Sequence, residues 1–461
     1  MTKHSGGESA LPHLQKASGK LHNLLDGFFQ YSSRGSDLRT EILAGITTFS
    51  TLSYVLVVHP LILSASGMDR GALITVTALA AAIFTVIMGL RTNYPLAMAP
   101  GMGVNAFVAE QVCLGMHIPW QAALGMVFYS GILFMIVALT GIRRRIIESF
   151  PASFKKTVGG GIGFFIAFLG LRNAKIVVPN ARSIVSMGNF SSPVVWLGLL
   201  GILLTIILVL RKVPGALIIS ILLLTIAGLF LPGAALHSRI TPLPHSLLSW
   251  PNSISPIFLK LDLAYSWRHP GQSIPIVLAL FFSDLFSAMA VLLAIGSAAG
   301  LNDANGNLPL LKEALSADAA AASGGALLGT TTTIIYVESA AGVEQGGRTG
   351  LVSMTCALCF LVALLLSPLI AVIPPVATTP ALVMVGIFMI QGLNDLDLKD
   401  GIISATALIT ILLTLLASVS EGLVVGFITN IVLLVAAGRR REVKPIAYLL
   451  VVLFVLHYIW A

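Results

Sequence analysis

The sequence predicts an all-α polytopic membrane protein of fourteen transmembrane spans in two inverted repeats of seven, with short strands in spans 3 and 10. Three observations lead there. Of 461 residues, 56% are hydrophobic and only 10% charged. Soluble globular domains carry about 25% charged residues, so most of this surface faces something other than water. Apolar runs of membrane length recur along the whole chain. The basic residues also segregate. Of 27 Lys and Arg, twenty lie in the N-terminal tail or on the connections that share its side, and seven on the other. That bias puts the N-terminus in the cytoplasm and an even number of spans before residue 439. It also makes the net charge of +8 a topological signal rather than a nucleic-acid surface.

Residues 1–39 form a polar cytoplasmic tail without the apolar core of a cleavable signal. Its stretch Leu21 to Tyr31 is mildly amphipathic and reads either as lying on the membrane or as loosely ordered. Spans are expected at 40–63, 71–90, 97–112 and 120–140, then at 155–173, 193–210 and 214–232. A long connection, 233–271, precedes spans at 272–299, 314–329, 331–345 and 349–373. The last three are 379–392, 402–418 and 421–438. A further apolar run, 445–460, follows Arg439, Arg440 and Arg441; it is short for a span and suits the interface.

Spans 3 and 10 are anomalous. The first reads Ala97-Met98-Ala99-Pro100-Gly101-Met102-Gly103-Val104-Asn105. The second runs from Gly329 through Thr330, Thr331, Thr332 and Thr333 to Ile334-Ile335-Tyr336-Val337-Glu338-Ser339, a β-branched series that favours an extended strand over a helix. Unsatisfied backbone cannot face lipid, so both segments must line protein or a wet cavity. Interrupted spans in corresponding halves point to a transporter's binding site. A shift of 233 residues superposes the two, bringing Ser64, Ala65 and Gly67 onto Ser297, Ala298 and Gly300, and Asn105 onto Glu338. An odd number of spans per half makes such repeats inverted.

An ionisable side chain inside a span costs about 2.5–3.5 kcal/mol on insertion scales and is a functional candidate by default. Asp284, Glu338 and Asp318 qualify, with Asn105 as the uncharged counterpart. A carboxyl group withdrawn from water favours its neutral form and can take up and release a proton. Ionised, it accepts N–H donors from a planar heterocycle. Phe281, Phe282 and Phe286 offer rings for stacking. Glu421 reads as helix-start chemistry with Ser420 as cap, and Glu110 as pore-facing or near the interface. His59, before Pro60 near a span end, reads as interfacial rather than as a proton relay. Cys113, Cys356 and Cys359 read as apolar packing, not as a metal site, redox site or disulfide. With no metal cluster and no nucleophile–base pair in view, an enzyme is disfavoured. A channel would need a continuous polar stripe, whereas the polar residues collect at two broken spans.

Several runs resemble a known family: Glu41-Ile42-Leu43-Ala44-Gly45-Ile46-Thr47-Thr48-Phe49, Ala99-Pro100-Gly101-Met102-Gly103-Val104-Asn105-Ala106, Asp284-Leu285-Phe286, Tyr336-Val337-Glu338-Ser339-Ala340-Ala341-Gly342 and Gly346-Gly347-Arg348-Thr349-Gly350-Leu351. They are similar to the azaguanine-type purine permeases, nucleobase–cation symporters related to uracil and xanthine permeases. The resemblance covers about residues 20–440. It implies the uracil-permease-type fold. Residues 40–140 (spans 1–4) and 272–373 (spans 8–11) would form a core domain. Residues 141–232 (spans 5–7) and 374–438 (spans 12–14) would form a gate, and 439–461 a basic, interfacial C-terminal segment.

The resemblance further implies proton-coupled import of a purine base (adenine, guanine or hypoxanthine) across the cytoplasmic, inner or plasma membrane by alternating access. The proton is the coupling ion, and no other cofactor and no metal is expected. Asn105, Asp284 and Glu338 match family positions implicated in binding and coupling. Glu338 is expected to read the substrate, Asp284 to carry the proton with Asp318, and Phe286 to contribute its ring. The family usually places a second acid where Ser287 stands, so Ser287 is expected to set purine preference; it also has asparagine more often than His59. The expected partners are the purine and the lipid bilayer, with no nucleic acid; a homodimer is compatible with this reading. The alternatives are another substrate on the same fold, such as uracil, xanthine or a small anion, and, from another class, a channel.

Overall fold

The computed structural model describes residues 23–140, 151–180, 184–213, 215–232, 239–243, 246, 248–301, 308–417 and 419–460. The expectations for residues 1–22, for the basic run Arg143 to Arg145 and for parts of the 233–271 connection lie outside these.

The first expected span folds as two helices, α1 (Leu38–Leu52) and α2 (Val55–Ser64). The break follows a run of hydroxyl residues. Thr48, Ser50 and Ser53 donate to the carbonyls of Ala44, Ile46 and Ser50, the back-bonding that bends helices. Next come α3 (Arg70–Thr92), strand β1 (Met98–Pro100), the short α4 (Met102–Ala106) with a π-helical continuation Phe107–Gly115, and α5 (Trp120–Leu139). Then follow α6 (Ala152–Asn173), strands β2 (Val177–Asn180) and β3 (Ile184–Met187), α7 (Pro193–Leu210) and α8 (Ala216–Gly228). The second half holds α9 (Ala264–Arg268), α10 (Pro270–Ala298), α11 (Leu311–Leu328), β4 (Thr333–Ile335), α12 (Ser339–Glu344), α13 (Gly350–Ala363), α14 (Ser367–Ala371), α15 (Pro375–Ile390), α16 (Gly401–Leu416), α17 (Val419–Ala436) and α18 (Pro445–Trp460). Helix starts are marked by side-chain caps: Asp37 accepts from the Thr40 amide, Asp69 from Ala72 and Asp400 from Ile402.

Among the described residues, eight helical stretches are long and apolar enough to cross a membrane, and three shorter apolar helices accompany them. The protein is a multi-pass helical membrane protein. Both broken spans contain a strand, and the strands pair with each other: β1 and β4 run antiparallel, with Met98 opposite Ile335, Ala99 opposite Ile334 and Pro100 opposite Thr333. Each thereby satisfies the other's backbone inside the protein. The antiparallel β2–β3 pair was not anticipated; it lies in the connection after α6, where short β-branched runs carry no membrane-length signal.

Helices from the two halves interlock. α15 packs on α6, α5 on α11 and α10, and α13 on α3 and α1; α7 contacts α15 and α8, while α16 contacts α6 and α17. Glycines allow the closest approaches. A Cβ on Gly386 of α15 would stand 2.6 Å from the Gly163 carbonyl oxygen of α6, and one on Gly350 of α13 would collide with that of Gly89 in α3.

The end of the N-terminal tail is packed rather than loose. Phe29 and Tyr31 bury against Leu351. Arg34 donates to the carbonyls of Asn93 and Arg348, and Asn93 bonds the Phe29 carbonyl and the Gly350 amide. Glu41, fully buried, accepts from the Arg348 amide and from the Thr349 amide and hydroxyl. That explains the Gly346–Leu351 run structurally: its backbone is laced to the first helix and the tail.

Candidate functional site

The polar cluster is organised by the threonine run that leads into β4. Each of three successive threonines bonds a side chain from a different part of the chain. Thr330 Oγ1 lies 2.6 Å from His59 Nε2 of α2. Thr331 Oγ1 bonds Asn105 Oδ1 of α4. Thr332 Oγ1 donates to Asp284 Oδ2 of α10 at 2.9 Å. The Thr332 carbonyl also accepts from the Gly101 amide. On the strand itself the Ile335 amide donates to Asp318 Oδ1 of α11 at 3.0 Å. Beyond it, the Tyr336 hydroxyl donates to the Pro100 carbonyl at 2.5 Å, and Glu338 Oε1 accepts from the Tyr54 hydroxyl at 2.9 Å.

His59, Asn105, Asp284, Asp318 and all four threonines are buried. Each of the main groups nevertheless keeps an unused atom. His59 Nδ1, Asn105 Nδ2, Asp284 Oδ1, Asp318 Oδ2, Thr333 Oγ1 and Glu338 Oε2 are buried without a hydrogen-bond partner. A buried polar atom left unpaired costs about 1–3 kcal/mol, so each of these atoms calls for a partner such as a ligand, an ion or water.

The structure therefore brings together Asn105, Asp284, Asp318 and Glu338 around the paired strands. Ser287 and Phe286 stand one turn or less along α10 from Asp284. Ser287 is half-buried. Phe286 stacks on Phe282, ring centroids 5.8 Å apart, with Lys155 Nζ 5.7 Å from its own centroid.

Other readings shift. His59 is enclosed by protein: the span continues past Pro60 to Ser64 as α2, and the buried imidazole meets the Thr330 hydroxyl. Glu110 forms a partly exposed ion pair with Arg172 at 3.4 Å. Glu421 stands in the first turn of α17, as expected, but Ser420 lies inside that turn because the helix begins at Val419. The three cysteines are free. Among the described residues no group of His, Cys, Asp and Glu is assembled to hold a metal ion. The threonine hydroxyls, Tyr54 and Tyr336 were missed as site groups. The threonines were visible, but only as strand formers; hydroxyls at membrane depth are donors that also need partners.

The model of a permease family, Xan_ur_permease, matches residues 39–454. The chain is 44% identical to "Putative permease MJ0326" of Methanocaldococcus jannaschii, covering 95% of this chain and 98% of that one. It is 37% identical to the guanine/hypoxanthine permease PbuG of Bacillus subtilis (94% and 99% covered) and 34% identical to the adenine permease AdeP of Escherichia coli (97% and 98% covered). Among solved structures, the transmembrane domain of a cyanobacterium bicarbonate transporter, BicA, superposes with a TM-score of 0.62 at 18% identity, over 83% of this chain and 97% of that one. That likeness concerns the fold.

Proposed function

The chain belongs to the Xan_ur_permease family of permeases, and on that premise we propose that it imports a purine nucleobase together with a proton, by alternating access. The observation that carries this reading is the convergence of buried, half-satisfied polar atoms on two paired strands. A purine offers ring N–H donors, ring-nitrogen acceptors and an exocyclic group. Ionised Glu338 has Oε2 to accept a ring N–H, and Asn105 has Nδ2 to donate to a ring nitrogen or carbonyl. Asp284, with Asp318 beside it, is the proton carrier, and Ser287 and Phe286 flank it on α10. The cluster bonds three carboxyl groups, a negative set that disfavours a small anion as substrate.

Fourteen spans in two inverted repeats belong to the same proposal. The helix contacts support it because they recur with an offset of seven spans. The pairs α5–α11 and α3–α13 correspond, as do α5–α10 and α1–α13, α7–α15 and α6–α16, and α7–α8 and α16–α17. The strand register agrees. Pro100 and Thr333 face each other, and they are separated by the same offset that superposes the halves in sequence. Spans 1–4 and 8–11 are assigned to a core and spans 5–7 and 12–14 to a gate, and the α5–α11, α3–α13, α6–α15 and α6–α16 contacts support this. The charge bias favours an inside N-terminus in the cytoplasmic membrane.

The test is uptake of labelled adenine, guanine, hypoxanthine, xanthine and uracil by reconstituted vesicles, with and without an imposed pH gradient. Purine accumulation above equilibrium only when the outside is acid is expected, accelerated by purine loaded inside. Uptake blind to the gradient would remove the proton; linear, non-saturable flux would indicate a channel.

A further inference from the structure

Away from the cluster, the π-helical run Phe107–Gly115 stands apart. π-Helices are rare and mostly single turns at functional sites, whereas this one extends over nine residues. Its backbone is seated among core elements, packed on α2, α4 and α5. Two consecutive polar side chains reach out of the core. Glu110 Oε2 pairs with Arg172 Nη1, in the last turn of α6, at 3.4 Å. Gln111 Oε1 accepts from the amide of Val419, the first residue of α17, at 2.8 Å. Both partners lie in the proposed gate, in spans 5 and 14.

With the N-terminus inside, the end of span 3, the end of span 5 and the start of span 14 all fall on the outer side of the membrane. The structure brings these three ends together. The first amides of a helix have no acceptor within it, and Gln111 supplies one to α17 from the opposite body. That bond exists only while the outer ends of core and gate touch. When they part, the carboxamide and the amide must take water instead. A contact made in one state and lost in the other biases the two by its own net value. The Glu110–Arg172 pair adds little, because the arginine side chain is 45% exposed and exposed ion pairs are weak. Gln111 is therefore the principal group.

We propose that Gln111, aided by Glu110, is an outer latch: it holds core and gate together on the outer side and so sets how often the site opens outward. The inference rests on the alternating-access reading above and goes beyond it by naming the contact that favours one of its two states.

The experiment places one reporter cysteine, Ile162→Cys, on α6 opposite Gly103 of α4, in protein whose Cys113, Cys356 and Cys359 are replaced by alanine. Its rate of reaction with a membrane-impermeant maleimide outside right-side-out vesicles follows the outward-open fraction. Gln111→Ala is expected to raise that rate about two- to twelvefold, the net value of one neutral hydrogen bond. Gln111→Glu keeps an acceptor and adds a charge suited to a helix N-terminus, so its rate stays at or below that of the parent. A general loss of structure would not separate these two variants. A Gln111→Ala rate within about 1.5-fold of the parent, below the least of those values, overturns the latch, as does a Gln111→Glu rate raised as far as that of Gln111→Ala. Should Gln111→Ala fail to fold, Gln111→Met, which keeps the length and removes the acceptor, takes its place. Labelling that purine leaves unchanged in every variant overturns the alternating-access reading, and this inference with it; labelling that purine alters but Gln111→Ala does not overturns only the latch.

Discussion

At the scale of single residues, the site consists of groups with one bond made and one to spare. Glu338 shows the consequence. Tyr54 holds Oε1, so the carboxylate is already oriented, and Oε2 is left unpaired; in the proposed function it is the atom that accepts from the purine. Glu338→Gln keeps the shape but exchanges an acceptor for a donor at one of the two positions. Losing a hydrogen bond to a charged group costs about 1.5–3 kcal/mol, so purine affinity should fall roughly ten- to 150-fold, measured by equilibrium binding in detergent. Unchanged affinity would remove Glu338 from substrate reading. Asp284→Asn still offers Thr332 an acceptor but can no longer gain or lose a proton. It is expected to retain purine exchange and to lose accumulation driven by an acid exterior. A mutant that still concentrates purine under that gradient would move the proton site elsewhere. Much of this was legible: Asp284, Asp318, Glu338 and Asn105 stand out as polar residues in apolar runs. His59 was not, because its partner Thr330 lies 271 residues away, and local pattern reports only near neighbours.

At the scale of elements, the β-branched threonine run announced a strand, and Pro and Gly announced the break in span 3. Neither announced that the two strands pair, or that three hydroxyls just before one of them would each hold a different side chain. Helix crossings were equally silent in the sequence, since a glycine inside an apolar helix gives no sign of what faces it. The α6–α15 crossing shows how much rests on that. A Cβ on Gly386 meets backbone of α6, and one on Gly163 would stand 2.8 Å from the Gly386 carbonyl oxygen. Backbone cannot move aside as a flexible side chain can. Gly386→Ala should therefore destabilise the protein by about 1–3 kcal/mol, the usual cost of overpacking, seen as a lower thermal midpoint in detergent. An unchanged midpoint would mean that the two helices separate at no cost.

At the scale of the whole molecule, the proposed cycle requires the core to slide against the gate. The contact between Gly103 of α4 and Ile162 of α6 lies on that boundary: a Cβ on Gly103 would stand 2.7 Å from Ile162 Cγ2. A Gly103→Cys, Ile162→Cys pair is expected to form a disulfide under oxidation that stops uptake, with a reductant restoring it and purine binding surviving throughout. Full uptake by the cross-linked protein would exclude movement at this boundary. The β1–β4 pairing carries a different consequence, for synthesis. The partner of Pro100 is Thr333, so β1 leaves the ribosome long before anything can satisfy its backbone. At about 5–20 residues per second the delay between them is roughly ten seconds to most of a minute. Throughout that interval the nascent first half holds an open strand edge, and its His59 and Asn105 wait for threonines not yet made. The first half is thus a client of the insertion machinery rather than a unit that folds alone, and a message cut before the codon for Thr333 should yield a fragment that quality-control proteases clear.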